Sequence, residues 1–218
     1  MHLISQFIDF VLHIDSHLVA IVNQFGDWTY LILFGIIFIE TGAVILPFLP
    51  GDSLLFAASA LAANPEYHLN IWTFVILFLI APIAGDSLNF TIGKTIGKRL
   101  TKNSFFGCFI KEDDLNRTEA FFEKHGGIAI SLARFMPIIR TFAPFVAGGS
   151  GMKYSTFIRY NVLGAIGWVI LCCGGGYFFG NFPFVKEHFS LIVIAIIVVS
   201  VLPAIFSAIK AKLSKKKA

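Results

Sequence analysis

RFMPIIRTFAPFVAG, residues 134–148, sets two arginines, two prolines and a closing glycine inside an otherwise apolar run. Charge buried in a hydrophobic segment is expensive and is kept where it has work to do. Pro137 and Pro144 interrupt helical hydrogen bonding, and a membrane tolerates broken backbone only where protein or a water-filled cavity meets the freed groups. The apolar arms on either side, from Ile128 to Gly151, are each too short to cross a bilayer. The stretch therefore reads as the tip of a re-entrant helical hairpin, hairpin 2, over about residues 128–152.

Composition places that hairpin in a membrane protein. Of 218 residues, 56% are hydrophobic, 14% are charged and 25 are phenylalanine, and the mean hydropathy is +0.79. So little polar surface cannot cover a soluble globule. At about 20 residues per span plus a connection, the length holds roughly four to six membrane segments. The net charge of +4 is unevenly placed. Lys94, Lys98, Arg99, Lys102, Lys111 and Arg117 form one basic stretch, and Lys210, Lys212, Lys215, Lys216 and Lys217 form the tail (211–218 by its expected boundary). The positive-inside rule puts both in the cytoplasm, where lysines after an apolar span set orientation or meet anionic headgroups rather than nucleic acid. Cys108 stands alone and Cys172 and Cys173 are adjacent, so no CxxC or zinc set exists. The start, MHLISQFIDFVLH, lacks the basic n-region of a cleavable signal.

Outward from the arginine stretch, the chain repeats itself. Residues 1–27 form an amphipathic amino-terminal helix, with Ile4, Phe7, Ile8, Val11, Leu12 and Leu18 at helical spacing; whether it crosses the bilayer is left open. His13 and His17, at i and i+4, lack a third ligand and read as a polar face rather than a metal site. From Trp28 an apolar run meets Glu40, passes Pro47, Pro50 and Gly51, and returns as Ser53 to Ala63. That second arm reaches about 16 Å at 1.5 Å per residue, against a hydrocarbon core of about 30 Å. This is hairpin 1, about 28–63, with a full span from Trp28 to Leu46 as the alternative. Full spans are expected at Ile71–Gly93, about Tyr160–Gly180 and Ser190–Ile209, with a polar interfacial helix at 112–125. Residues 28–210 thus form one transmembrane domain. The fold class is all-α: a polytopic membrane protein with two oppositely oriented re-entrant hairpins in an inverted repeat, about three full transmembrane helices and interfacial amphipathic helices. Inverted repeats of this kind put a substrate site at the bilayer midplane.

The polar groups supply the chemistry. On an ideal helix Arg134 and Arg140 lie roughly 240° apart, but a break at Pro137 can turn both toward one cavity. Guanidinium stays charged and matches phosphate oxygens two at a time, so the pair suits an anion or phosphate; the alternative is that both snorkel to the interface. Glu40 and Asp52 flank the other tip and can pair with the arginines or carry protons, although Asp52 also fits a simple N-cap. Asp86 and Asn161 are candidates for lining the cavity. Other motifs fail. IGKT at 92–95 lacks the first P-loop glycine, because Leu88 occupies that position. GGSG at 148–151 has no histidine on a following span to make a serine nucleophile, and a lipid phosphatase would want histidines among its arginines. A transporter rather than an enzyme is expected, with no cofactor and no metal.

Four segments together resemble the bacterial DedA family, within the wider VTT or SNARE-associated-domain group: Glu40 followed by PFLPGD, GDSLNFTIGK at 85–94, RFMPIIRTFAPFVAG at 134–148, and NVLGAIGW at 161–168. The resemblance runs in order over roughly residues 28–180. Phe90 departs from it, standing where the family has tyrosine. What the resemblance implies is a proton-dependent or membrane-potential-dependent transporter in the bacterial plasma membrane, multi-pass with a cytoplasmic C-terminus. Some members are implicated in returning undecaprenyl phosphate across the membrane, and eukaryotic relatives scramble phospholipids. The family's important acidic and basic positions fall on Glu40, Asp52, Arg134 and Arg140. The expected activity is a polyprenyl-phosphate flippase, with a general phospholipid scramblase or proton-coupled small-ion exchanger as the alternative. Expected partners are polyprenyl phosphate or phospholipid, protons and membrane lipids, with no nucleic acid; a homo-oligomer is left open.

Overall fold

A computed structural model describes residues 14–42, 51–103, 122, 124–180, 182–183, 185, 191–192 and 195. Several sequence expectations lie outside these residues: His13, Pro47 and Pro50, most of the polar stretch at 112–125, nearly all of the Ser190–Ile209 span, and the lysine tail. The described chain is helical, with no β-strand among its residues. In order it forms α1 (Ile14–Phe25), α2 (Trp28–Gly42), α3 (Gly51–Ala62), a 3-10 turn (Pro65–Tyr67) and α4 (Ile71–Asn103). There follow α5 (Ile128–Ala133), α6 (Pro137–Gly149), α7 (Tyr154–Val169), a π-helical turn (Ile170–Gly174) and α8 (Gly175–Gly180).

Among the described residues two stretches are long and apolar enough to cross a membrane, Ile71–Thr95 and the continuous Tyr154–Gly180. Both run beyond the spans read from hydropathy. α4 continues through Lys98, Arg99 and Lys102 to Asn103, because lysine and arginine are good helix formers and leaving the bilayer does not end a helix. The other begins at Tyr154 rather than Tyr160. Among the described residues α2 runs over 15 residues and α3 over 12, and residues 43–50 between them, where the Trp28–Leu46 alternative would end, lie outside the description.

The chain divides into two compact units. Among described residues the first holds 14–33, 51–77 and 169–180. There α3 packs against α8, the π turn and α1. Gly176 and Gly180 form a GxxxG pair facing it: an added Cβ at Gly180 would lie 2.7 Å from the Ala60 Cα, and one at Gly176 would strike the Phe56 carbonyl. Small residues let helix backbones meet where lipid offers no hydrophobic drive to associate. Leu18, Leu54, Leu55 and Ala57 are buried here, and the Asn70 amide donates to the Tyr30 hydroxyl at 2.7 Å.

The second unit holds 34–42, 78–103 and 124–168 among described residues. Its core joins Phe90, Ile130, Ala147 and Phe157, with Phe142, Phe145 and Val146 beside it. Phe90 stacks on Phe157 at 4.5 Å between ring centroids. α4 and α6 cross at backbone contact, since a side chain on Gly93 would strike the Phe145 carbonyl and one on Gly148 the Phe90 carbonyl.

Candidate functional site

The break between α5 and α6 follows from Pro137. A residue before proline is pushed out of the α region, and Met136 is accordingly extended at φ −119°, ψ 105°. Proline suits the first helical turn, where its missing amide would have no partner. The Arg140 amide then donates to the Met136 carbonyl at 2.8 Å and the helix restarts. Arg134 closes one helix and Arg140 lies one turn into the next. Pro144, inside α6, has no amide to offer the carbonyl four residues back, that of Arg140.

Arg134 is 5% exposed. Its Nη2 donates to the Asp86 carboxylate and to Asn161 Oδ1 at 2.5 Å. Its Nη1 is buried with no hydrogen-bond partner among the described residues. Asn161 in turn donates through Nδ2 to the Ile83 carbonyl at 3.5 Å, and so ties α7 to α4. The Arg134 guanidinium is thus held by protein groups rather than exposed on the surface. Arg140 approaches Glu40 Oε1 at 3.5 Å, the two side chains being 14% and 10% exposed. Both guanidiniums lie over the Trp168 ring, the Arg140 Cζ 4.5 Å and the Arg134 Cζ 5.8 Å from its centroid.

Glycines make room for these groups. A Cβ at Gly85, next to Asp86, would lie 3.0 Å from the Phe38 carbonyl and overlap Thr41, so glycine lets the end of α2 that carries Glu40 reach α4. A Cβ at Gly164 would sit 3.0 Å from the Ser131 Cα and 3.5 Å from the Arg134 Nε, so glycine admits α5 to α7.

Five sequence candidates thus share one unit: Glu40, Asp86, Arg134, Arg140 and Asn161. Asp52 belongs to the other unit. Asp52 is itself helical, in the first described turn of α3, and so does not take the N-cap position. Two residues were not singled out from sequence. Trp168 is an aromatic in an apolar span, which gives no sign of which face it takes. Asn89, fully buried, donates to the Thr141 carbonyl at 3.1 Å; its i+3 spacing from Asp86 was the available signal. Two arginines and two carboxylates make the cluster charge-balanced, able to exchange a carboxylate partner for an incoming anion. A largely apolar depression lined by Asp27, Trp28, Tyr30, Leu31 and Leu77 holds none of these candidates.

Comparison with known proteins agrees with the motifs. The VTT domain model matches residues 49–178. The chain is 50% identical over its full length to Protein DedA of Escherichia coli strain K12, covering 99% of that protein. It is 40% identical over 84% of its length to the uncharacterized membrane protein Rv0364 of Mycobacterium tuberculosis, covering 80% of it. Inner membrane protein YghB of Escherichia coli strain K12 is 31% identical over 94% of the chain, with 92% of YghB covered. No solved structure matches.

Proposed function

Since this chain belongs to the DedA family of VTT-domain membrane proteins, we propose that it transports a lipid phosphate, as a flippase returning undecaprenyl phosphate across the bacterial inner membrane. The observation that carries this reading is the pair of guanidiniums gathered over Trp168 beside a broken helix. Arg134 and Arg140 hold the phosphate, and the isoprenoid tail stays in lipid. Glu40 competes with the phosphate for Arg140, and that exchange of partners links transport to protons or membrane potential. Asp52 is given the same coupling or gating role on the family resemblance alone. The inner-membrane placement draws on the name of YghB, and the multi-pass arrangement with a cytoplasmic C-terminus draws on lysine placement. The two re-entrant hairpins of opposite orientation belong to the same proposal, supported by the short helices on either side of the break at Pro137.

The test is translocation of undecaprenyl phosphate in proteoliposomes. Arg134→Ala and Arg140→Ala should each lower the rate at least tenfold, and normal rates in both would overturn the assignment. The ion pairs Arg134–Asp86 and Arg140–Glu40 favour a second reading, in which the arginines only neutralise carboxylates of a general phospholipid scramblase or proton-coupled ion exchanger. Competition separates the two: excess polyprenyl phosphate inhibits the flippase and leaves a scramblase unaffected.

A further inference from the structure

Three tryptophans occur in the chain, and they are placed very differently. Trp28 and Trp72 are 68% and 71% exposed, as suits rings at a lipid or interfacial surface, whereas Trp168 is 2% exposed. Trp168 lies in the last turn of α7, with a glycine before it and Gly164 a turn earlier admitting α5. Two like charges brought together in a low-dielectric interior repel each other. The negative face of an indole offsets that repulsion, and an arginine held through its own face keeps its N–H edge for oxygen ligands.

We propose that Trp168 is a positioning residue of the anion site, a cation–π platform that holds Arg140, and more loosely Arg134, ready for a phosphate. This rests on the phosphate-site reading above. The partners that compete for Arg140 include the ring at 4.5 Å and Glu40 at 3.5 Å. A ligand that needs the ring-docked arginine binds in proportion to the fraction docked. The ring therefore tunes affinity through Arg140 without touching the ligand.

The experiment uses the full chain with Trp28→Phe and Trp72→Phe, both outside the site, leaving Trp168 as the sole tryptophan. Tryptophans carrying one to four ring fluorines are then incorporated. Fluorine withdraws electron density from the ring face while nearly preserving its shape, so folding is retained and only the cation–π attraction changes. The probe is geranyl phosphate, with binding read from Trp168 fluorescence and checked by calorimetry. Affinity should fall stepwise with fluorine number, by about tenfold across the series. Trp168→Leu should show a similar loss by calorimetry, and Trp168→Phe should recover part of it. Affinity that stays flat or rises with fluorination, while the parent binds, overturns the platform and leaves the phosphate site standing. A parent protein that binds no geranyl phosphate overturns the phosphate-site reading, and the platform's role with it.

Discussion

Arg134 reaches across 48 residues of sequence to donate to Asp86, and the pair is enclosed, with side-chain exposures of 3% and 9%. Two ions out of water are tolerated only together, since removing one partner strands the other and costs about 3–5 kcal/mol. Asp86→Ala should therefore destabilise the protein by about that amount, read as thermal unfolding in detergent. Adding Arg134→Leu to Asp86→Ala should recover much of the loss. An Asp86→Ala protein as stable as the parent would show that the pair does not form.

Asn161 is the neutral acceptor on the same Arg134 amino group. Asn161→Leu removes that acceptor and the donor to the Ile83 carbonyl while filling the space, and should destabilise by about 1–3 kcal/mol. Its effect should not add to that of Asp86→Ala, because residues of one buried network couple. A double-mutant cycle gives the coupling, and strict additivity would separate Asn161 from the network.

How much of this was legible in sequence depends on the range of the force involved. The break at Met136 and Pro137 was readable, because proline acts on its immediate neighbour and on the carbonyl four residues back. The burial of two arginines and Asp86 was readable as an anomaly of charge in apolar sequence. Their partners were not: Arg134 finds Asp86 and Asn161 at separations of 48 and 27 residues, which helix crossings decide. Trp168 was silent for the same reason. Hydropathy marked where apolar sequence ends near Gly93 but not that α4 runs on to Asn103, since it reports the solvent a residue prefers and not the backbone it adopts. The π-helical turn at Ile170–Gly174 left no trace in the pattern either.

Gly93 and Gly148 let α4 and α6 touch through their backbones. Neither neighbour is a side-chain tip that can swing aside, so Gly93→Ala or Gly148→Ala must push the helices apart. Each should destabilise by about 1–3 kcal/mol or more. Gly35, within α2, has open space where a Cβ would go, and Gly35→Ala should instead be neutral or stabilise by up to about 1 kcal/mol. Unfolding temperatures of the three variants decide the matter. Equal behaviour at positions 35 and 93 would mean the close crossing is absent.

Glu40 and Asp86 both face arginines, yet the two pairs should answer neutralisation differently. The Arg140–Glu40 separation of 3.5 Å is longer than a well-formed charge-assisted hydrogen bond of about 2.7–2.9 Å. Arg140 also keeps the face of Trp168 when Glu40 loses its charge. Glu40→Gln should therefore destabilise less than Asp86→Asn, which removes the charge that balances the more enclosed guanidinium. In transport the order reverses. Glu40→Gln removes the carboxylate that approaches Arg140 at 3.5 Å, so proteoliposome transport should lose its dependence on an imposed pH gradient while phosphate binding tightens. Measuring both quantities on one preparation tests the division of labour. A Glu40→Gln protein that still follows the gradient would move the coupling role to another carboxylate.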